Sequence, residues 1–284
     1  MTNVIADVVS INRFADMAGY APTEVLVVKI GGGAGVDLAG CLADLAQIAR
    51  QRPVVIVHGV SDTMNRLCAE RGVPVRTLTS PSGHESRYTD PATRDLFVEA
   101  TGIVGAQIVR ELAAHGVPAA VVRGAVHGER KAAIRAVVNG RVVIIRDDYS
   151  GTITHIDAAP IREALAQGLV PVIAPLATSP DGWLNVDGDR ASASIAAALG
   201  AADLLILSNV RGLYRRYPDE SSLIAHVPAQ QIETALEAAQ GRMKRKVLGA
   251  QEALRGGVRR VIIADGRARQ PVSAALNGAG TTFC

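Results

Sequence analysis

Short unbroken apolar runs recur along the chain, most of them closed by glycine or proline. Val25-Leu26-Val27-Val28-Lys29-Ile30 runs into Gly31-Gly32-Gly33, and Val54-Val55-Ile56-Val57 runs into His58-Gly59. Between them Leu38, Cys41, Leu42, Leu45 and Ile48 recur at helical spacing, which predicts a helix over 36–50. Strand, helix and strand so close together make a βαβ unit. A long helix through Val98 and Val109 leads to a strand at Ala119-Ala120-Val121-Val122. Apolar and polar residues then alternate over 130–146 around Asn139-Gly140, the strongest short-range signal for a tight hairpin. Val170-Pro171-Val172-Ile173-Ala174 reads as another buried strand. The second half repeats the theme, with helices over 191–199 and 246–254 and strands over 204–207 and 261–263.

The fold class that follows is α/β: an open, mostly parallel sheet with helices on both faces, an αβα sandwich in two lobes. The first 23 residues carry no strand pattern and read as an appended, partly helical extension. Pro, Ser and Gly accumulate over 175–181, which places the boundary between a lobe over 24–176 and a lobe over 177–284. The length of 284 residues suits two lobes.

Composition narrows the classes. Hydrophobic residues make up 48% of the chain and aromatics only 3%, so the core is aliphatic. A net charge of +3, with no basic block interleaved with aromatics, argues against a nucleic-acid partner. Cys41, Cys68 and Cys284 are odd in number and lack metal-site spacing, which suits a reduced cytoplasmic setting. No apolar run approaches the ~20 residues of a membrane span, and the start of the chain lacks the apolar centre of a signal peptide. A soluble cytoplasmic protein is expected, with no membrane contact.

Candidate chemistry begins at the glycine run. A dinucleotide-binding fingerprint would need glycine at Val36 and an acidic residue where His58-Gly59 closes the second strand. The P-loop pattern is absent as well. What remains is Lys29 at the end of a strand, followed by Gly31, Gly32 and Gly33, which let backbone N–H groups approach an anion. The bland alternative is a solvated lysine beside a tight turn. Gly59 opens a second anion-accepting helix terminus on the neighbouring strand, and two such turns side by side suit a phosphoryl group in flight. In Asn185-Val186-Asp187-Gly188-Asp189-Arg190, an EF-hand would continue to Glu at Ala196, which argues against calcium. Asp187 reads as a helix cap, and Asp189 as a carboxylate organising cations. The basic cluster Gly241-Arg242-Met243-Lys244-Arg245-Lys246 is either a solvated charge run or the source of a cation for a transferring phosphate.

Taken together, these residues resemble the amino acid kinase family, over nearly the whole chain from Val25 to Thr282. The resemblance is closest to the branch whose substrates are blocked at the α-amino group by LysW, a small acidic amino-group carrier protein. It rests on Ser86-Arg87-Tyr88-Thr89-Asp90, Asp148-Tyr149-Ser150-Gly151-Thr152, Asn185 to Asp189, Ser208-Asn209-Val210-Arg211-Gly212-Leu213, Tyr217-Pro218-Asp219-Glu220 and Gln240 to Lys246. It implies an ATP-dependent phosphorylation of a side-chain carboxylate, of 2-aminoadipate or glutamate, in lysine or arginine biosynthesis. It also implies an acyl-acceptor lobe over 24–176 and an ATP-binding lobe over 177–284. Lys29 and Lys246 would stabilise the transferring phosphoryl group, Asp189 would orient both, and the N–H groups of Gly32 and Gly59 would line its path. Arg87 would pair with the substrate's α-carboxylate, with Asn185, Gly59 and Val60 completing the acceptor site. Lys29, Gly31, Gly32, Ser208, Gly212, Leu213, Tyr217, Lys244 and Lys246 would border ATP. Mg²⁺ would travel on the ATP phosphates, with no protein metal ligand. A homodimer or higher homo-oligomer is expected. Arg130, Lys131, Arg135, Arg141 and Arg146 put five positive charges on the expected hairpin, a docking element for the acidic carrier.

Two positions depart from the family pattern. Val60 replaces a second glycine after His58-Gly59, where it is expected to bar positive φ and crowd the phosphate path. Gly105 stands where relatives carry asparagine. Two other readings stay open: a kinase of free N-acetylglutamate, and a non-catalytic nucleotide or amino-acid sensor, for which Val60 speaks.

Overall fold

The structure is a computed structural model that describes residues 24–81, 83 and 85–284. The leader over 1–23, expected to be partly helical, lies outside the described residues. The first βαβ unit forms as its pattern dictates: β1 (Leu26–Ile30), α1 (Leu38–Ala49) and β2 (Val54–His58). Both strands are buried along their whole length, which is why they carry unbroken apolar runs. Asp37 caps α1, its Oδ1 accepting from the Gly40 N–H at 2.9 Å. There follow α2 (Ser61–Glu70), a small antiparallel pair β3 (Thr77–Thr79) and β4 (Glu85–Arg87), and the long α3 (Pro91–Ala114). Asp90 caps α3 and Pro91 supplies a first residue with no N–H to satisfy.

The middle of the chain holds β5 (Ala119–Val121), β6 (Val126–Arg130), β7 (Ile134–Val138), β8 (Arg141–Ile145) and β9 (Gly151–Ile156). Then come α4 (Ala159–Ala166), β10 (Val170–Ile173), β11 (Leu176–Ser179) and β12 (Gly182–Asn185). The rest comprises α5 (Gly188–Leu199), β13 (Asp203–Ser208), β14 (His226–Val227), α6 (Ile232–Ala238), α7 (Gly241–Arg255), β15 (Arg260–Asp265), α8 (Pro271–Leu276) and β16 (Thr281–Phe283).

The main sheet is open, with strand order β14-β16-β15-β13-β1-β2-β10-β5. Each neighbouring pair is parallel except β15 with β16. One face is covered by α4, α5, α6 and α7 over a core that includes Val27, Val55, Ile206 and Ile263. The other is covered by α1, α2, α3 and α8 over Val28, Ile56, Leu205 and Ile262. Strands from both halves of the chain share this sheet, and β1 stands between β13 and β2. The carboxyl ends of β1, β2, β10 and β13 therefore emerge together at one edge, where an open parallel sheet places its ligands.

A smaller sheet, β12-β11-β6-β9, and the separate hairpin β7–β8 lie beside the main one. The expected hairpin is shorter than the alternating stretch. Asn139 and Gly140 turn it with φ of 50° and 75°, the paired positive values of a type I′ turn. Arg130 lies outside it, at the end of β6, and Arg146 lies past the end of β8.

Candidate active site at the carboxyl ends of the parallel strands

A buried carboxylate between two ammonium groups forms the centre. Lys29, near the end of β1, places Nζ 2.8 Å from Asp189 Oδ1. Lys246, in the second turn of α7, donates from Nζ to Asp189 Oδ2 at 2.9 Å. The three residues are only 8%, 6% and 9% exposed, in the order Lys29, Asp189, Lys246. Each carboxylate oxygen of Asp189 thus faces one ammonium group.

Each member is fixed by backbone. Asp187 caps α5, its Oδ1 accepting from the N–H groups of Asp189 and Arg190, which holds Asp189 in the first turn, where the helix end favours a negative charge. Helix α7 packs tightly on α5 at Gly249, where a Cβ would stand 3.1 Å from the Asp189 carbonyl oxygen. That close approach lets Lys246 reach across one turn earlier. Burial alone would push the Asp189 carboxyl up, but Lys29 and Lys246 outweigh it and hold the group well below the usual carboxylate range. Burial, together with the charge of Lys29, pushes the Lys246 ammonium down, against the opposing pull of Asp189.

The two glycine turns meet at the ends of β1 and β2. A Cβ on Gly32 would overlap the Gly59 carbonyl carbon and the Val60 nitrogen, and a Cβ on Gly59 would overlap the Gly32 nitrogen. The Gly59 N–H donates to Ile30 O at 2.9 Å, and the Asp62 N–H to Gly32 O at 2.7 Å. Val60 departs from expectation. Its φ is −134°, which any residue adopts, and its side chain is buried in the core beneath α2. It neither needs positive φ nor crowds the turn. His58, just before Gly59, is 1% exposed, and neither ring nitrogen has a hydrogen-bond partner among the described residues. Burial pushes its imidazole down to about 4, the Gly59 backbone offsetting only part of this. A Cβ on Gly105 would stand 3.7 Å from its Nε2.

On the acceptor side, Arg87 in β4 donates from Nη2 to Asn65 Oδ1 at 2.5 Å. Its Nη1 is buried with no partner among the described residues, and burial pushes the guanidinium down from its ordinary value. Asn185, at the end of β12, donates from Nδ2 to Thr89 Oγ1 at 3.1 Å. Sequence reasoning missed the group that fixes this pair. The buried Asp148 carboxylate accepts from Thr89 N–H at 2.8 Å and from Ser150 N–H at 2.7 Å. The only signal was that both stretches carry the family resemblance, without any hint that they touch.

The residues assigned to ATP lie around the end of β13. Ser208 is its last residue, and Gly31 N–H donates to the adjacent Leu207 O at 3.0 Å. Gly212 sits against Thr281, whose hydroxyl accepts from the Leu213 N–H at 2.8 Å. Leu213 is thus a core residue bracing the loop. Tyr217 is exposed and meets Tyr214 edge-on at 5.8 Å, and Lys244 is exposed on α7.

Residues 24–265 match the model of the amino acid kinase family. The chain belongs to the amino acid kinase family. It is 44% identical over 276 residues to the LysW-aminoadipate kinase of Deinococcus radiodurans, covering 95% of this chain and 94% of that protein. It is 41% identical over 266 residues to the LysW-aminoadipate kinase of Thermus thermophilus, covering 90% and 99%. Among solved structures, the N-acetylglutamate synthase of Neisseria gonorrhoeae in complex with coenzyme A and N-acetyl-glutamate superposes with a TM-score of 0.75 at 26% identity. That match covers all of this chain but only 64% of the synthase. The carbamate kinase of Giardia lamblia bound to AMP-PNP shares the fold, with a TM-score of 0.65 at 18% identity over 92% and 98% of the two chains.

In this family member the basic residues assigned to carrier docking do not form one surface. Arg130 is a brace: Nε donates to Asp148 O at 2.9 Å, Nη2 to Arg146 O at 2.6 Å, and the guanidinium lies 4.1 Å from the Tyr149 ring centre. Arg94 covers the same ring at 4.4 Å. Lys131, Arg135, Arg141 and Arg146 are exposed. Arg135 pairs with Ile144 and lies on the open face of the hairpin with Val137 and Val142, whereas Arg141 pairs with Val138 on the opposite face, which buries Ala136. Among the described residues no helix is long and apolar enough to cross a membrane.

Proposed function

We propose that this chain transfers the γ-phosphoryl group of ATP to the side-chain carboxylate of 2-aminoadipate or glutamate while the substrate's amino group is linked to a LysW-type carrier protein. The observation that carries this reading is the Lys29–Asp189–Lys246 triad, two cations held on one carboxylate. A hydroxyl acceptor would need a base to take its proton. Asp189 is held by two ammonium groups and is a poor candidate for that task. A carboxylate acceptor needs none. Its oxygen forms the new P–O bond as the bond from the γ-phosphorus to the β–γ bridging oxygen breaks, and ADP leaves carrying the bonding electrons. The products are an acyl phosphate and ADP, with no net proton transfer.

Lys29 and Lys246 bring charge stabilisation to that transfer, and Asp189 keeps their ammonium groups aimed without reorganisation. The N–H group of Gly32 lines the path between acceptor and donor, whereas the Gly59 N–H, expected to do the same, is already bonded to Ile30 O. The unpartnered Arg87 Nη1 is a built donor for the substrate's α-carboxylate. The acceptor lies over residues 24–176, and ATP, bordered by Ser208, Gly212, Tyr217 and Lys244, over 177–284. Mg²⁺ arrives on the ATP phosphates. The setting is lysine or arginine biosynthesis in the cytoplasm, and the chain acts as a homo-oligomer. The sensor reading loses its support, since the Val60 side chain sits in the core.

The test is turnover with ATP, Mg²⁺ and hydroxylamine, run with the aminoadipate conjugate, the glutamate conjugate or free N-acetylglutamate. A hydroxamate with a conjugate and little with the free amino acid is expected. A hydroxamate with N-acetylglutamate alone would transfer the assignment to that substrate, and ADP release without hydroxamate would overturn a carboxylate acceptor altogether.

A further inference from the structure

Arg245 precedes Lys246 on α7, within what reads in the sequence as a solvated charge run, yet it is not free. Its Nη2 donates to the Glu85 carbonyl oxygen on β4, 160 residues away in sequence. Its Nη1 lies 3.6 Å from Asp187 Oδ2, the carboxylate that caps α5. Its Nε is buried and has no partner among the described residues. Burying an unpartnered donor is unfavourable, so the side chain's position is set by its other two contacts. Those contacts join three elements. Helix α7 carries Lys246, helix α5 carries Asp189, and β4 carries Arg87 two residues beyond Glu85. Arg242 and Lys244, its neighbours in the run, are exposed.

We propose that Arg245 is a positioning residue, a strap that couples the acceptor strand β4 to the phosphoryl-transfer triad. Order imposed on the start of α7 by nucleotide passes through the Arg245 fork to β4, and so to Arg87. The reverse holds by thermodynamic reciprocity. A planar guanidinium suits the role because it donates in two directions at once from one rigid group, which an ammonium on a flexible stem does not reproduce. The inference rests on the proposed reaction only for the identity of the acceptor.

The experiment uses the full chain and reads hydrogen–deuterium exchange of the segment containing residues 85–87, with and without AMP-PNP and Mg²⁺. In the wild type, nucleotide should slow exchange at β4. In Arg245→Gln that slowing should vanish at saturating nucleotide, and kcat on the acceptor should fall by about 10², the scale of a small misplacement at a reacting centre. Arg245→Lys should recover part of kcat, and it takes the place of the glutamine variant if that one fails to fold. The same nucleotide-induced slowing in wild type and variant, with unchanged kcat, would overturn the strap. A wild type that shows the exchange coupling but phosphorylates no carboxylate would leave the strap standing and remove the acceptor assignment instead.

Discussion

Gly249 touches the backbone of Asp189: a methyl group added to it would stand 3.1 Å from the Asp189 carbonyl oxygen and 3.6 Å from its Cβ. The spacing of α5 and α7, and with it the Lys246–Asp189 contact, is set at this point. Gly249→Ala would gain about 1 kcal/mol of helix propensity, which offsets the strain of pushing the helices apart by a few tenths of an ångström. Thermal stability should therefore change little while kcat falls by about tenfold or more, since Lys246 withdraws from the transfer path. A differential scanning melt and steady-state kinetics on the same sample check this. An unchanged kcat would mean that Lys246 tolerates displacement and is not part of the chemistry.

His58 gives a pH signature in stability. Its imidazole is pushed by burial from 6.5 down to about 4. The folded state therefore resists the proton that the unfolded chain accepts. The associated stability is fully present above the unfolded value near 6.5, is lost as pH falls toward 4, and changes no further below that. Each tenfold difference in proton affinity between the two states is worth about 1.4 kcal/mol, so the loss reaches about 3 kcal/mol. Phenylalanine has a ring of similar size and no nitrogens to leave unpartnered. His58→Phe should unfold in urea at a concentration close to wild type at pH 7.5 and at a clearly higher one at pH 4.5. Parallel pH profiles for the two proteins would show that His58 finds a partner in solution.

The strands and the glycine turns could be read from residue order because each is a local event, whereas the triad, whose Lys29 and Asp189 stand 160 positions apart, was legible only through the family resemblance. A parallel strand buried on both faces must be an apolar run, and an anion-binding turn after it must be glycine. Asp187 as a cap was equally legible, since a cap bonds residues two and three positions away. The acceptor side was not. Asp148 reaches Thr89 across 59 positions, and Arg245 reaches Glu85 across 160. Neither contact has a periodicity to betray it. Arg130 misleads for the same reason. Its charge is visible in the sequence, but the carbonyl groups and the Tyr149 ring that occupy it come together only through the fold.

Val60 separates a packing role from a catalytic one. Its side chain is buried at 4% exposure among the core residues beneath α2. Val60→Ala should lower stability by about 2 kcal/mol, as expected for removing buried methyl groups, and leave kcat near wild type at temperatures where the variant stays folded. A rise in kcat would restore the idea that valine obstructs the phosphate path. Chemical denaturation and initial rates distinguish the two outcomes.

The β7–β8 hairpin now makes a sharper claim about carrier docking than its charge count alone. Arg135, Val137, Val142 and Ile144 share the open face, and Ile144 is 57% exposed. Apolar centres with a charged residue at the rim are a common way to hold a protein partner, the charge speeding encounter and the apolar area slowing release. Arg141 lies on the other face, beside Val138. Arg135→Glu and Ile144→Asp should each raise KM for the carrier conjugate and leave KM for ATP alone, whereas Arg141→Glu should do so less. The Arg135 effect should also shrink with added salt, because steering by an exposed charge is screened beyond a Debye length of about 8 Å at physiological ionic strength. The Ile144 effect should not, since apolar burial carries no such screening. Equal effects of Arg135→Glu and Arg141→Glu would show that the carrier senses only the net charge of the hairpin. No effect from any of the three would place its docking surface elsewhere on the molecule.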